Sequence, residues 1–226
     1  MTLVDRTVRL SGVRGMIADK MMESLQTAAQ LTHHGAADAT ALMAEKARLA
    51  DAGVKVSVED LLMLAVVRAL KRSPDANGRV EGKEVKLSAA IDLGIAIALP
   101  GNLLAAPAIF GADAMGVEEL RAARRDLATR ARANKLSVRE MTGGTFTVSN
   151  LGLTRVEQFT PIINAPQIAI LGIGRTVERA VRAEDGSVAL SPHIGLSLTF
   201  DHRAIDGAPA ADALTAICEE IEGMRP

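Results

Sequence analysis

The stretch Leu198-Thr199-Phe200-Asp201-His202-Arg203-Ala204-Ile205-Asp206-Gly207 has the clearest chemical potential in the chain. The apolar residues Ile194, Leu196, Leu198 and Phe200 alternate until they meet a charged cluster, and Asp206 follows His202 by four positions. Strict alternation predicts a strand, so the imidazole stands at a strand end with a carboxylate nearby. A histidine held in this way can serve as a general base near neutral pH. Gly207 permits the sharp turn that follows. The same pattern also describes an ordinary ion-pair corner, and Asp206 can alternatively cap the helix that starts near Ala208. Ser149 ends a second apolar strand, just before Asn150-Leu151-Gly152. A hydroxyl there can donate to a developing oxyanion. It can equally bond to nearby backbone, and Asn150 is a second candidate for the functional polar group.

Positioning these groups requires a framework of strands and helices. Ser11 can cap a helix with Met16, Ile17, Met21 and Leu25 at helical spacing, and an extended run from Leu31 to Asp38 follows. Asp38 can cap a short helix through Leu49. Ser57-Val58-Glu59-Asp60 reads as a capping box before an apolar helix from Leu61 to Lys71, which ends at Pro74, Asn77 and Gly78. Strand-like runs are Val85–Leu87, Ile91–Ala98 and Leu103–Ile109, with Pro100-Gly101-Asn102 as a turn. Val117–Asn134 is an amphipathic, Arg-rich helix whose charges read as a solvated face rather than a phosphate site. Further strands are expected at Gly144–Ser149, Ile168–Ile173, Arg175–Ala183 and His193–Phe200. Strands and helices without strict alternation predict an α/β fold with a mixed sheet and flanking helices.

Composition narrows the function. The 226 residues carry 26 basic and 27 acidic side chains, a formal net charge of −1, which argues against nucleic acid and anionic membrane as partners. Only four Phe and no Trp or Tyr are present, so base stacking has little to work with. No apolar run reaches membrane-spanning length, and residues 1–15 show no signal-peptide pattern. The single cysteine, Cys218, lies on an apolar helical stripe with Leu214, Ile217 and Ile221 and reads as core. These features fit a reducing cytoplasm. His33 and His34 are adjacent in an extended run, so they face opposite ways and no metal site is expected. His193 is expected to meet solvent. Gly172-Ile173-Gly174-Arg175 lacks the third glycine and the opening helix of a dinucleotide fingerprint, and Ser149 lacks the Gly-x-Ser-x-Gly elbow of a hydrolase.

Asp-His-Arg-x-Ile-Asp-Gly, as it stands from Asp201 to Gly207, resembles the active-site signature of the dihydrolipoyl acyltransferases, the core subunits of 2-oxo acid dehydrogenase complexes. The looser His-x-x-x-Asp-Gly is that of their relative chloramphenicol acetyltransferase. Gly143–Gly152 resembles the family's second signature and Phe159–Gln167 the segment after it. Ser11–Arg14 with Ile17–Ser24 resembles the opening helix, and Asp92–Pro100 a central strand. The similarity runs in order from about residue 8 to about residue 221.

The resemblance implies a chloramphenicol-acetyltransferase-like fold over residues 1–226, assembled as a homotrimer with active sites at subunit interfaces. It implies transfer of a short acyl group, acetyl first, between dihydrolipoamide and coenzyme A. By the same resemblance His202 is the general base for the thiol, Ser149 the oxyanion donor, and Asp206 holds the loop through an ion pair, usually with an arginine. Coenzyme A is then a substrate whose binding residues the sequence leaves unassigned. Three departures shape this expectation. No lipoyl domain and no peripheral subunit-binding domain occur in these residues, so the lipoyl group is expected on another domain or protein, with dehydrogenase subunits as possible partners. Lys20 stands where relatives usually have arginine, and lysine lacks the bidentate fork, so either Lys20 or Arg14 could meet Asp206. The sequence ends at Met224-Arg225-Pro226 without the apolar tail that joins trimers, so trimers outside a cage are expected. Two other readings stay open: a free-standing acetyltransferase for a small hydroxyl or amine acceptor, and a catalytically idle trimeric scaffold.

Overall fold

The computed structural model describes residues 7–101, 103–183 and 185–225. Asn102 of the expected turn, Pro226 at the chain end and residues 1–6 lie outside them. The helices are α1 (Gly12–Thr27), α2 (Thr40–Asp51), α3 (Val58–Arg72), α4 (Val117–Arg132), α5 (Val138–Thr142) and α6 (Gly207–Glu222). The strands are β1 (Gln30–Asp38), β2 (Gly78–Glu81), β3 (Glu84–Leu87), β4 (Leu93–Ile95), β5 (Ile97–Leu99), β6 (Leu103–Ala105), β7 (Ala108–Ile109), β8 (Phe146–Asn150), β9 (Ala169–Arg182) and β10 (Val188–Asp201).

Six strands form the main sheet in the order β1-β10-β9-β8-β4-β7. Its β9–β8 and β8–β4 pairs are parallel and the others antiparallel, so the sheet is mixed, as the element order predicts. Helices α3 and α6 pack together, α6 also covers β1, and α4 packs on α3. Phe146, Phe200, Leu62, Met63, Leu171 and Ile217 are among the fully buried side chains between these layers. The Ser57 box is present: Ser57 Oγ accepts from the Asp60 N–H and the Asp60 carboxylate accepts from the Ser57 N–H. Asp60 is buried, and although burial alone would raise its carboxyl, bonds from Arg124 and Ser57 outweigh that and hold it below the ordinary carboxylate range. Arg124 also meets Glu59 at 2.8 Å, so one arginine of α4 is inward and structural rather than solvated.

Several expected elements come out differently. Ser11 occupies the cap position of α1 without a side-chain bond. Of the apolar residues at helical spacing in α1, Met16 is 64% and Leu25 50% exposed, Ile17 and Met21 are half-buried, and only Ser24 of the helix is buried. The single strand expected over 91–98 divides at Ala96, whose N–H bonds to Val148 O, into β4 and β5 in different sheets. The run 103–109 divides at Pro107, which has no N–H to give a ladder. Conversely, 168–173 and 175–183 fuse into the single strand β9. Short α5, which the apolar pattern does not signal, is nucleated by a capping box from Ser137 to Glu140.

The loop from 151 to 167 lies over β9 and β10. A side chain on Gly174 would put its Cβ 1.8 Å from Glu157 O, and one on Gly195 would put it 2.0 Å away. These glycines let the loop approach the strands closely. That accounts for the Gly172-x-Gly174 spacing without a nucleotide, and it buries β10 on both faces from Ile194 to Asp201.

Candidate active site

His202 sits one residue beyond β10. Its N–H donates to Ala29 O at 2.9 Å, and its ring lies 5.7 Å from that of Phe200 at a tilt of 41°. Nδ1 is 3.5 Å from Asp206 Oδ1, too long for a strong hydrogen bond but close enough for the charge to orient the ring. With Nδ1 turned to the carboxylate, Nε2 is left to accept a proton, and the side chain is 44% exposed.

Asp206 occupies the cap position of α6 but makes no side-chain cap bond. Pro209, the third helical residue, has no N–H to offer. Among the described residues the side chain facing Asp206 is His202, a contact that is ionic only when the imidazole is protonated, where the resemblance implied a lysine or arginine. Arg14 donates to Gly101 O. Lys20, whose ammonium pKa is lowered by burial despite the nearby Glu23, lines a cavity of about 850 Å³ with Asp201 and Arg203.

The arginine pair of this loop is local. Arg203 Nη2 meets Asp201 Oδ2 at 2.6 Å, with further bonds from Arg203 Nε. Asp201 also accepts from the N–H groups of Ala29 and Arg203. Burial would raise the Asp201 carboxyl, but these donors prevail and hold it low. Sequence reasoning assigned no role to Asp201 or Arg203. Alternation along β10 was the available signal, since it turns Asp201 away from the Phe200 face.

Ser149 lies on the same face of the sheet as Asp201, opposite to that of Phe200. The pairs Ser149–Gly172, Gly172–Ser197 and Ser197–His34 form one row across four strands, and directly opposed residues share a face. On that row His34 Nδ1 meets Ser197 Oγ at 2.9 Å, and the Phe159 ring covers Gly172. The Ser149 hydroxyl makes no hydrogen bond among the described residues, so its donor is uncommitted. Asn150 instead closes the following turn by accepting from Gly152 N–H at 2.8 Å. A cavity of about 600 Å³ starts at Asn150 and includes Gly152, Leu153 and Lys46, but Ser149 does not line it.

Ser149 and His202 do not meet within one chain. His202 lies five positions beyond the Ser197 row, about 17 Å along the strand, and the serine is two strands away, about 10 Å across. The other candidates are structural. Burial pushes the Cys218 thiol up to about 11, which leaves little thiolate near neutral pH. His193 is half-buried, with Nδ1 3.0 Å from Ser191 O, rather than meeting solvent as expected. No helix among the described residues is long and apolar enough to cross a membrane.

Comparison with known proteins agrees with the sequence resemblance. Residues 3–225 match the family described as 2-oxoacid dehydrogenases acyltransferase (catalytic domain). The acetyltransferase component of the Bacillus subtilis pyruvate dehydrogenase complex is 39% identical over 215 residues, covering 92% of this chain and 48% of that protein. The succinyltransferase component of the 2-oxoglutarate dehydrogenase complex of Rickettsia bellii is 36% identical, covering 95% of this chain and 54% of that protein. The chain thus spans about half the length of these relatives. A dihydrolipoamide acetyltransferase of Azotobacter vinelandii superposes with a TM-score of 0.89 at 32% identity, over 98% of this chain and 93% of that one. In that protein a serine, a histidine and an asparagine four positions after the histidine were investigated for their role in catalysis. A chloramphenicol acetyltransferase shares the fold, with a TM-score of 0.56 at 17% identity over 91% of this chain and 92% of that one.

The asparagine has the spacing of Asp206 from His202. A contact between exposed side chains at 3.5 Å contributes little, and Asn keeps one acceptor oxygen. Asp206→Asn is therefore expected to lower kcat by about fivefold or less, measured by steady-state assay. A variant as inactive as one lacking His202 would show that the negative charge itself is required.

Proposed function

We propose, for a chain that belongs to the 2-oxoacid dehydrogenase acyltransferase catalytic-domain family, that it transfers a short acyl group, acetyl first, between dihydrolipoamide and coenzyme A. The observation that carries this reading is the open Nε2 of His202 beside Asp206, with the uncommitted Ser149 hydroxyl as its complement. Thiol-to-thiol acyl transfer needs a base, because the thiolate is the nucleophile, and a donor for the tetrahedral oxyanion. His202 Nε2 takes the thiol proton as sulfur attacks the thioester carbonyl. Ser149 donates to the oxygen that becomes negative. The intermediate collapses by expelling the other sulfur, and the imidazolium returns the proton to it. Asp206 orients the ring and stabilises its charged form.

The separation of Ser149 from His202 supports a site shared between two copies in a trimer, His202 from one and Ser149 from the next. The uncovered apolar residues of α1, with Val13 53%, Met16 64% and Met22 53% exposed, favour burial against another copy. The lipoyl group would arrive on another domain or protein, and dehydrogenase subunits would be further partners. The test is a steady-state assay with acetyl-coenzyme A and free dihydrolipoamide beside a panel of small alcohols and amines. Acetylation of the dithiol is expected. Turnover only with hydroxyl or amine acceptors would favour a free-standing acetyltransferase, and none with any acceptor an idle scaffold.

A further inference from the structure

We infer that His33 is a positioning residue for His202, acting through a hydrogen bond to the turn that carries Asp206. The inference rests on His202 being the base, as proposed above.

His33 lies on β1 opposite Leu198. Its diagonal neighbour on the same face is Phe200, and the two rings lie 5.0 Å apart. Phe200 is fully buried, and its ring centroid is also 5.7 Å from that of His202. Both imidazoles thus neighbour one buried phenyl ring. His33 Nε2 also lies 3.1 Å from Gly207 O. A carbonyl oxygen only accepts, so Nε2 of His33 carries a hydrogen and donates.

The start of the turn is held by Arg203 on Asp201 and its middle by buried Ile205, so the bond from His33 bears on its end, where Asp206 and Gly207 lie. The N-terminus of α6 has no side-chain cap: Asp206 makes none, and Pro209 removes one of the two N–H groups that a cap would engage. The residues after His202 are held by backbone bonds from Ala204 and Ile205 to Asp201 O and from Ala210 to Asp206 O. At one end, Ala29, just before β1, accepts from His202 N–H and donates to the Asp201 carboxylate; at the other, His33 of β1 donates to Gly207 O. The carboxylate of Asp206, 83% exposed, is thereby left free to face His202 while its backbone is fixed from behind. A loop that loses this tether can shift Asp206 and His202 against an incoming thiol. Misplacement by about 1 Å can cost on the order of a hundredfold in rate.

The experiment compares His33→Phe and His33→Gln with wild type and with His202→Ala, after checking mass and thermal midpoint. His33→Phe keeps a ring against Phe200 but cannot donate. His33→Gln keeps a donor nitrogen at similar reach. His33→Phe is expected to lower kcat tenfold or more with KM for both substrates within twofold, and His33→Gln to stay within threefold of wild type. The inference is overturned if His33→Phe matches wild type while His202→Ala is inactive, if His33→Gln is as impaired as His33→Phe, or if only KM moves. An active His202→Ala enzyme would instead remove the base assignment on which the inference rests. Should His33→Phe fail to fold, long-range 15N–1H NMR of the wild-type imidazole decides: a proton on Nε2 supports the bond, and a bare Nε2 overturns it.

Discussion

Replacing His202 with alanine is expected to lower kcat by two orders of magnitude or more, the usual contribution of a positioned base. Nε2 is the atom at stake, since Nδ1 faces Asp206. Binding of coenzyme A should change little, because the imidazole acts as the proton moves and contributes little to ground-state affinity. Steady-state kinetics separates the two effects: kcat and kcat/KM should fall together. The His202 side chain is 44% exposed, so its removal leaves no core cavity and the thermal midpoint should hardly move. A His202→Ala enzyme that keeps more than a tenth of wild-type turnover would contradict the assignment.

Ser149→Ala is expected to cost about 3 kcal/mol of transition-state stabilisation, or roughly a hundredfold to a thousandfold in kcat, the scale for losing one oxyanion donor. The hydroxyl has no hydrogen bond among the described residues that its loss would break, so stability gives no competing explanation. The strand itself is secured elsewhere, by Phe146 in the core and by pairing with both β4 and β9. Loss of substrate binding at unchanged turnover would assign Ser149 to positioning instead.

The sequence made β10 and its charged terminus legible because alternation over Ile194–Phe200 is long and clean. The same holds for α3, where the Ser57 box and an apolar run agree. What the sequence concealed depends on partners distant in the chain. The run 91–98 reads as one strand, and only the bond from Ala96 N–H to Val148 O shows where it divides. The helical spacing in α1 reports amphipathicity, not which surface covers its apolar residues. The contact of Asp206 with His202 was not legible, because the resemblance pointed to Lys20 or Arg14 in α1, and the loop's own Arg203 pairs with Asp201 two residues away. The tether from His33 was invisible, since nothing local signals that β1 lies beneath the turn at Gly207.

The central claim is a site built from two copies. Within one chain Ser149 lies two strands from β10 and level with Ser197, five positions before His202, so the proposed roles of the two residues require a second copy. Co-expression of differently tagged His202→Ala and Ser149→Ala chains tests this directly, with tandem affinity purification to isolate mixed trimers. Some interfaces then pair an intact His202 with an intact Ser149, and activity should rise well above that of either parent variant. Verified mixed trimers without any recovery would contradict the account and place both residues in a single chain's site.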